Sequence, residues 1–272
     1  MFARQFPWWR NGEKKQISVA TLFSASLELG GEWDGSPKPA AFVVLSRARE
    51  ACLSGIELLS DQQPKKIRVD NRSPGPPHIW LHSDYPSTAW IVVNVGTCDW
   101  CKLAYQFGHE LGHVLCNSWC WGHHPKPPSQ WFEEAAAEAF SLRGLGLLAE
   151  SWEQNPPFSH DSAFAGAIWR YRDSLLAGYR KAANIDFSVW LRSGQSMPED
   201  DFAAPKGPMV VPILADLERD KGCVEDIGAL NRWPERTGVP IEEYLELWER
   251  SCKEIGAPGL LPTRVRALLQ LA

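Results

Sequence analysis

"YQFGHELGHVLC", residues 105–116, carries two histidines four positions apart, with a glutamate directly after the first. On an α-helix such residues project from the same face, so His109 and His113 can bind one tetrahedral Zn²⁺. Glu110 lies one step around the helix, where it can reach a water on the metal without ligating the ion. The flanking residues are apolar, and a buried helix rarely carries histidines and acids without partners. The segment therefore favours a zinc site over a chance match.

The third metal ligand is expected on the following helix. The metzincin pattern needs a glycine and a histidine after the second histidine, but Cys116 and Trp119 occupy those positions. The segment "WFEEAAAEAF" (131–140) instead supplies Glu134 and Glu138, which share one helix face. We assign Glu134 as the third ligand, and Glu138 as the acceptor of the second ring N–H of one zinc histidine. The surrounding alanines predict that the two helices approach each other closely.

With these residues the chain resembles the gluzincins, zinc peptidases of the aminopeptidase and thermolysin type that take a glutamate from the helix after HExxH. "HELGH" (109–113) fits the motif, and "WFEEAAAE" (131–138) is similar to the aminopeptidase segment W-L-N-E-G. The alignment of Trp131 with the family's tryptophan puts Glu134 on the metal. "AWIVVNVG" (89–96) stands in the place of the edge strand along which such enzymes lay extended substrates.

The resemblance also implies a residue that stabilises the tetrahedral intermediate. "GYRKAA" (178–183) is similar to the Y-x-K-G segment of zinc aminopeptidases, which makes Tyr179 the oxyanion donor. His160 and Tyr171 are rivals for that role. The glycine-x-methionine-glutamate-asparagine stretch that holds a free N-terminus in aminopeptidases is absent, which argues against exopeptidase action.

Glu133 also lies within reach of the site by sequence alone. On a helix it is rotated by about 100° from Glu134, so the two carboxylates cannot both face the metal. We therefore expect that replacing Glu133 by alanine has little effect.

The order of the patterns predicts an α+β fold, and the resemblance to the gluzincins implies that it is zincin-like. Thr97 can cap a helix that runs through Trp119, and "GHHPKPPS" (122–129) can stop it. We expect a small N-terminal mixed sheet with helices, then the active-site helix, then an all-helical C-terminal half. The natural division lies between residues 1–128 and 129–272. The patterns indicate a helix over 40–60 and strands over 65–69, 78–82 and 89–95.

Composition narrows the function classes. The formal net charge of the 272 residues is −5, so nothing points to a nucleic-acid partner. The apolar runs are too short to cross a membrane, and the first residues do not resemble a secretory signal. Seven cysteines is an odd number, which suggests free thiols in a reducing compartment and hence a cytoplasmic protein.

Four of the cysteines flank the HExxH segment and could form a second metal or redox site. Cys101 and Cys116 would lie about 22 Å apart along a straight helix, so Cys98, Cys101, Cys116 and Cys120 cannot meet on one ion. Cys116 and Cys120 could do so with His123 or His124, but we favour buried thiols that act as small hydrophobic side chains.

Together these patterns predict a zinc-dependent metallopeptidase that acts on a peptide or protein substrate. Zn²⁺ would be bound by His109, His113 and Glu134, and the water on it would be activated by Glu110. The alternative is a zinc-bearing regulatory or binding module of the same fold with little or no turnover.

Overall fold

The computed structural model describes residues 21–33, 35–72, 74–119, 129–158, 163–182, 207–233 and 239–271. The strands are β1 (Ser26–Gly31), β2 (Lys66–Asn71), β3 (His78–Ile79) and β4 (Thr88–Val93). The described helices are α1 (Lys38–Cys52), α2 (Trp100–Leu115), α3 (Ser129–Gln154), α4 (Phe164–Ala182), α5 (Gly207–Arg219), α6 (Gly222–Ile227), α7 (Ile241–Ile255) and α8 (Leu260–Leu268). The predicted α+β class, with a small mixed sheet first and helices afterwards, is confirmed.

The four strands form one sheet in the order β1-β2-β4-β3. Strand β2 pairs in parallel with both β1 and β4, and β3 is antiparallel to β4. The inward side chains Ile67, Val69, Ile91 and Val93 are fully buried, and helices α1 and α2 pack with the sheet. Neighbouring parallel strands need a crossover connection, and α1 supplies it between β1 and β2.

The sheet edge differs from the expectation at β4. We expected the strand around 89–96 to be the edge, but β4 is internal, between β2 and β3. The edge beside α2 is β3, which consists of only two residues. The pairing continues beyond them because the amide of Trp80 donates to the carbonyl of Trp90, and the two indoles stack at 5.8 Å.

The first helix is shorter than its apolar pattern. Periodic residues over 40–60 predicted one helix, but α1 ends at Cys52. Gly55 follows in the left-handed region with a φ of 76°, and the chain is non-helical to Lys65. This connection is fixed to the C-terminal helices because the carboxylate of Glu225 accepts hydrogen bonds from the amides of Glu57 and Leu59.

Both ends of α2 depart from the prediction. Thr97 does not cap the helix: Cys98 adopts a φ of 57°, and the helix begins after Asp99. At the other end, Asn117 adopts a φ of 63°. The amides of Asn117 and Ser118 donate to the carbonyls of Val114 and His113, which is a Schellman motif. The helix therefore stops before the proline-rich segment that we expected to end it, and residues 122–128 of that segment lie outside the described part.

The remaining core is helical. Helices α3, α4 and α5 pack on one another, and α3 also packs on α1 and α2. The largest fully buried side chains in this half include Trp152, Phe140, Tyr244 and Trp248. None of the described helices combines the length and apolar composition that crossing a bilayer requires.

Candidate metal centre

Helices α2 and α3 cross at very short range at the two glycines of the motif region. A Cβ atom on Gly112 would lie 2.8 Å from Cα of Ala137, and one on Gly108 would lie 2.9 Å from Oγ of Ser141. Real Cβ atoms do not approach other atoms this closely, so only glycine fits here. The expected close approach of the two helices is thus present, and it brings His109 and His113 opposite Glu134.

His109, His113 and Glu134 converge in the structure. The two Nε2 atoms are 3.2 Å apart, and each lies 3.4 Å from one oxygen of Glu134. Ligands on a tetrahedral Zn²⁺, with bonds of about 2.0–2.1 Å, are separated from each other by about 3.3 Å. Among the described residues these three form the group of metal-capable side chains whose ligand atoms all lie within 4.8 Å of one another.

The remaining nitrogen of each imidazole faces a buried carboxylate. Nδ1 of His109 lies 3.1 Å from Glu138, and Nδ1 of His113 lies 2.7 Å from Glu133. A carboxylate only accepts hydrogen bonds, so Glu133 favours a proton on Nδ1 of His113, which would leave Nε2 of that ring as the ligand atom once a metal is bound. Glu138 thus lies beside His109, as expected, but Nδ1 of His109 makes no hydrogen bond among the described residues.

Glu133 is the residue that the sequence interpretation missed. We expected it to have little effect, but its side chain is only 1% exposed and holds His113. Helix rotation turns Glu133 away from Glu134, as predicted, and towards the outer nitrogen of His113. Its second oxygen accepts a hydrogen bond of 2.7 Å from the side-chain amide of Asn231. The sequence did not predict that Asn231 lies at this site. An acid within an alanine-rich, buried helix was the available signal for Glu133, whereas nothing in the sequence pointed to Asn231.

Tyrosines surround Glu138 on the far side of His109. The hydroxyl of Tyr105 lies 2.8 and 2.9 Å from the two oxygens of Glu138. Tyr179, the expected oxyanion donor, lies close enough to Glu138 and Tyr105 for both to affect its pKa. Tyr171 places its ring 6.0 Å from that of Tyr105, edge to face. Burial raises the pKa of Tyr171 to about 12 and that of Tyr179 further, so both hydroxyls are proton donors at neutral pH.

Glu110 is buried beside the three converging residues and stays outside their triangle. Burial raises the pKa of its carboxyl group, and the nearby imidazoles of His109, His113 and His78 oppose that rise. A carboxylate with a raised pKa is a better proton acceptor than one in water. The arrangement can therefore accept a proton next to the ligand triangle.

The charges within the triangle stabilise one another. Burial lowers the pKa of His109, but the contacts with Glu134 and Glu138 outweigh it and raise the pKa to about 9. The pKa of His113 is also raised, since the attraction of Glu134 and Glu133 exceeds the effect of burial. Burial raises the pKa of Glu134, and the two imidazoles lower it well below its usual range. The site thus favours positive charge between its carboxylates, which is what a bound cation supplies.

The described cysteines near α2 do not join this group. Cys98 is exposed, Cys101 is half-buried and Cys116 is fully buried. Burial is the main cause that raises the pKa of Cys101 to about 11. The other residues of the considered second site, Cys120, His123 and His124, lie outside the described residues, as does His160.

Comparison with known proteins does not assign the chain to a family. A scan against protein-family models found no match, and searches among curated proteins and solved structures found none either.

Proposed function

We propose that this protein is a zinc-dependent metallopeptidase of the gluzincin type, with a zincin-like fold. The observation that carries the proposal is the convergence of His109, His113 and Glu134 at separations of 3.2–3.4 Å, with Glu110 beside them. Two nitrogens and a carboxylate are ligands that Zn²⁺ accepts in catalytic sites, where three protein ligands leave a fourth position for water.

Glu110 is the general base in this proposal. A bound Zn²⁺ would lower the pKa of its water to about 7 and polarise the scissile carbonyl. Glu110 would accept the proton of that water and pass it to the leaving amine. Its burial and raised pKa support this role, because they favour the protonated state that the second step requires.

The edge of the sheet supports an extended peptide as the substrate. Helix α2 packs against β3, and among the described residues no strand pairs with the outer side of β3. An unpaired edge offers backbone donors and acceptors to an added strand. His78 on this strand lies close enough to Glu110 to influence its pKa, which places the edge near the base. The substrate is therefore a peptide or protein, and we propose a cytoplasmic location with neither nucleic acid nor membrane as partner.

Metal content tests the proposal first. Purified protein is expected to carry about one zinc per chain by elemental analysis, and His113→Ala is expected to remove it. Full zinc retention in that variant would exclude the site. Two zincs in the native protein would instead show that the cysteines near α2 form a second site.

Glu110→Gln tests the chemistry separately. The variant is expected to keep zinc and fold, and to lose hydrolysis of a quenched fluorogenic peptide library by at least about 10²- to 10⁴-fold. Glu150→Gln, an exposed position on α3, is the matched control and is expected to retain full activity. Equal rates for the native protein and Glu110→Gln would refute the assigned base.

A regulatory or binding module that holds zinc with little turnover is the second candidate. The surroundings of Tyr179 favour it, because Glu138 and Tyr105 lie close enough to affect the pKa of its hydroxyl and would compete with an intermediate for it. Stoichiometric zinc with no cleavage of any peptide in the library would select this candidate.

A further inference from the structure

Glu133 links the metal-binding histidine to a distant part of the chain. One of its oxygens lies 2.7 Å from Nδ1 of His113, and the other accepts the amide of Asn231 at 2.7 Å. The same amide nitrogen lies 3.1 Å from Oγ of Ser118, directly after the end of α2. The side chains of Glu133, Asn231 and Ser118 are all buried. The position of Glu133 therefore depends on His113 of α2 and on Asn231 in the segment after α6.

A second asparagine fixes that segment. The side-chain amide of Asn117 donates to the carbonyls of Gly228 and Leu230, at 2.9 and 2.6 Å. Ser60 completes the arrangement by donating to Oδ1 of Asn117 at 2.8 Å. The backbone just before Asn231 is therefore fixed to the turn that follows α2.

The backbone of Asn231 is in an uncommon conformation that serves this contact. Its φ is 59°, in the left-handed region, which asparagine tolerates better than most residues. Its Oδ1 is buried with no hydrogen-bond partner among the described residues. An uncommon backbone conformation and an unsatisfied polar atom both lower the stability of the fold. The contacts of the amide with Glu133 and Ser118 offset that loss, and they require this conformation of Asn231.

We propose that Asn231 is a positioning residue of the metal site, acting on His113 through Glu133. This inference rests on the proposed zinc-binding function. The amide of Asn231 occupies one oxygen of Glu133 and turns the other towards Nδ1 of His113. That contact fixes the ring with Nε2 directed at Glu134, so a residue that lies far from the HExxH helix in sequence sets the geometry of one ligand.

Asn231→Asp is the direct test. The substitution preserves shape but opposes two carboxylates, which would turn Glu133 away from His113. We expect zinc affinity, measured by competition with a chromophoric chelator, to fall by about ten- to a hundredfold. The visible absorption spectrum of the Co²⁺-substituted protein is expected to change as well, because it reports the ligand geometry.

The double variant Glu133→Gln with Asn231→Asp supplies the rescue. The glutamine carbonyl can accept from His113, while its amide donates to the new carboxylate, so the donor–acceptor chain is restored in reversed polarity. This variant is expected to recover most of the zinc affinity and the native Co²⁺ spectrum. Asn231→Gly, which tolerates the positive φ but lacks the amide, is expected to fold and to show the loss without new charge.

Arg232→Gln is the matched control. Arg232 holds the same segment through Asp61 at 2.7 Å and Glu254 at 3.0 Å, but neither contact leads to the metal site. The control is expected to lower the melting temperature while leaving zinc affinity and the Co²⁺ spectrum unchanged.

Each outcome separates this inference from the proposed function. Native zinc affinity and spectrum in both Asn231→Asp and Asn231→Gly would overturn the positioning role while leaving the zinc site intact. The same losses in Arg232→Gln would also overturn it, because they would show a general effect of stability. A native protein that binds no stoichiometric zinc would overturn the proposed function and this inference together.

Discussion

Three glutamates within one and a half turns of α3 make different contacts, because the rotation of the helix points their side chains in different directions. Glu134 faces both Nε2 atoms, whereas Glu133 and Glu138 each face an Nδ1 atom. Of the three, only Glu134 faces the space between the two Nε2 atoms, where the proposed metal would be bound. The other two carboxylates lie beside the outer ring nitrogens.

Alanine substitutions separate these roles. Glu134→Ala is expected to abolish stoichiometric zinc, because it removes a ligand. Glu133→Ala and Glu138→Ala are each expected to weaken zinc affinity by about ten- to a hundredfold, since they free a ring to rotate. Competition with a chelator measures all three, and Glu150→Ala on the exposed side of the same helix is the control. Stoichiometric zinc in Glu134→Ala would contradict the ligand assignment.

At the residue scale the sequence predicted which side chains converge better than it predicted the contacts that support them. The spacing of His109 and His113 is local, so helix periodicity alone places both on one face. The role of Glu133 depends on which side of α3 faces His113, and that is a property of helix packing. Asn231 could not be found from the sequence, because its contact with Glu133 exists only after the C-terminal half folds against α2.

At the scale of the elements, the crossing of α2 and α3 sets the register of the ligands. Gly112 lies between the two histidines along the helix, and Ala137 lies between Glu134 and Glu138. A larger residue at either glycine of the contact would push the helices apart and move Glu134 away from the imidazoles.

Gly112→Ala is expected to reduce both stability and zinc binding. The added methyl group would overlap backbone atoms of Ala137, and overpacking of this kind costs about 1–3 kcal/mol. Chemical denaturation of the metal-free protein measures the free energy of unfolding, and chelator competition measures zinc affinity. Gly178→Ala on α4, where an added Cβ meets nothing within 4 Å, is the control and is expected to be neutral or slightly stabilising. Unchanged zinc affinity in Gly112→Ala would show that ligand register does not depend on this contact.

The elements themselves were predictable where one apolar face is pronounced, as in α7, but their ends were not. Asn117 ends α2 through its left-handed backbone, while the apolar pattern continues to Trp119. The edge strand was misassigned for a related reason. β4 is rich in branched residues, yet its place beside β3 is decided by the chain reversal between them, which periodicity does not reveal.

For the whole molecule, the structure joins the two parts that we divided at residue 128. Glu225 in the C-terminal part binds backbone amides after α1, and Asn117 at the end of α2 binds carbonyls after α6. These contacts are buried or partly buried and link segments more than a hundred positions apart. The division into 1–128 and 129–272 stays a prediction about sequence patterns, and these contacts show that the two parts pack on each other across it.

The labelling rates of buried thiols can report which region of the folded protein opens first. Burial raises the pKa of Cys52 to about 12 and also raises that of Cys252, so neither reacts with an alkylating reagent while its surroundings are closed. Cys52 lies against α3 near Gly144, and Cys252 lies on α7, so each reports on its own region. Equal labelling rates by peptide mass spectrometry are expected if the chain opens as one cooperative unit. Faster labelling of Cys252 alone would mean that the C-terminal helices detach while the sheet and α2 stay folded.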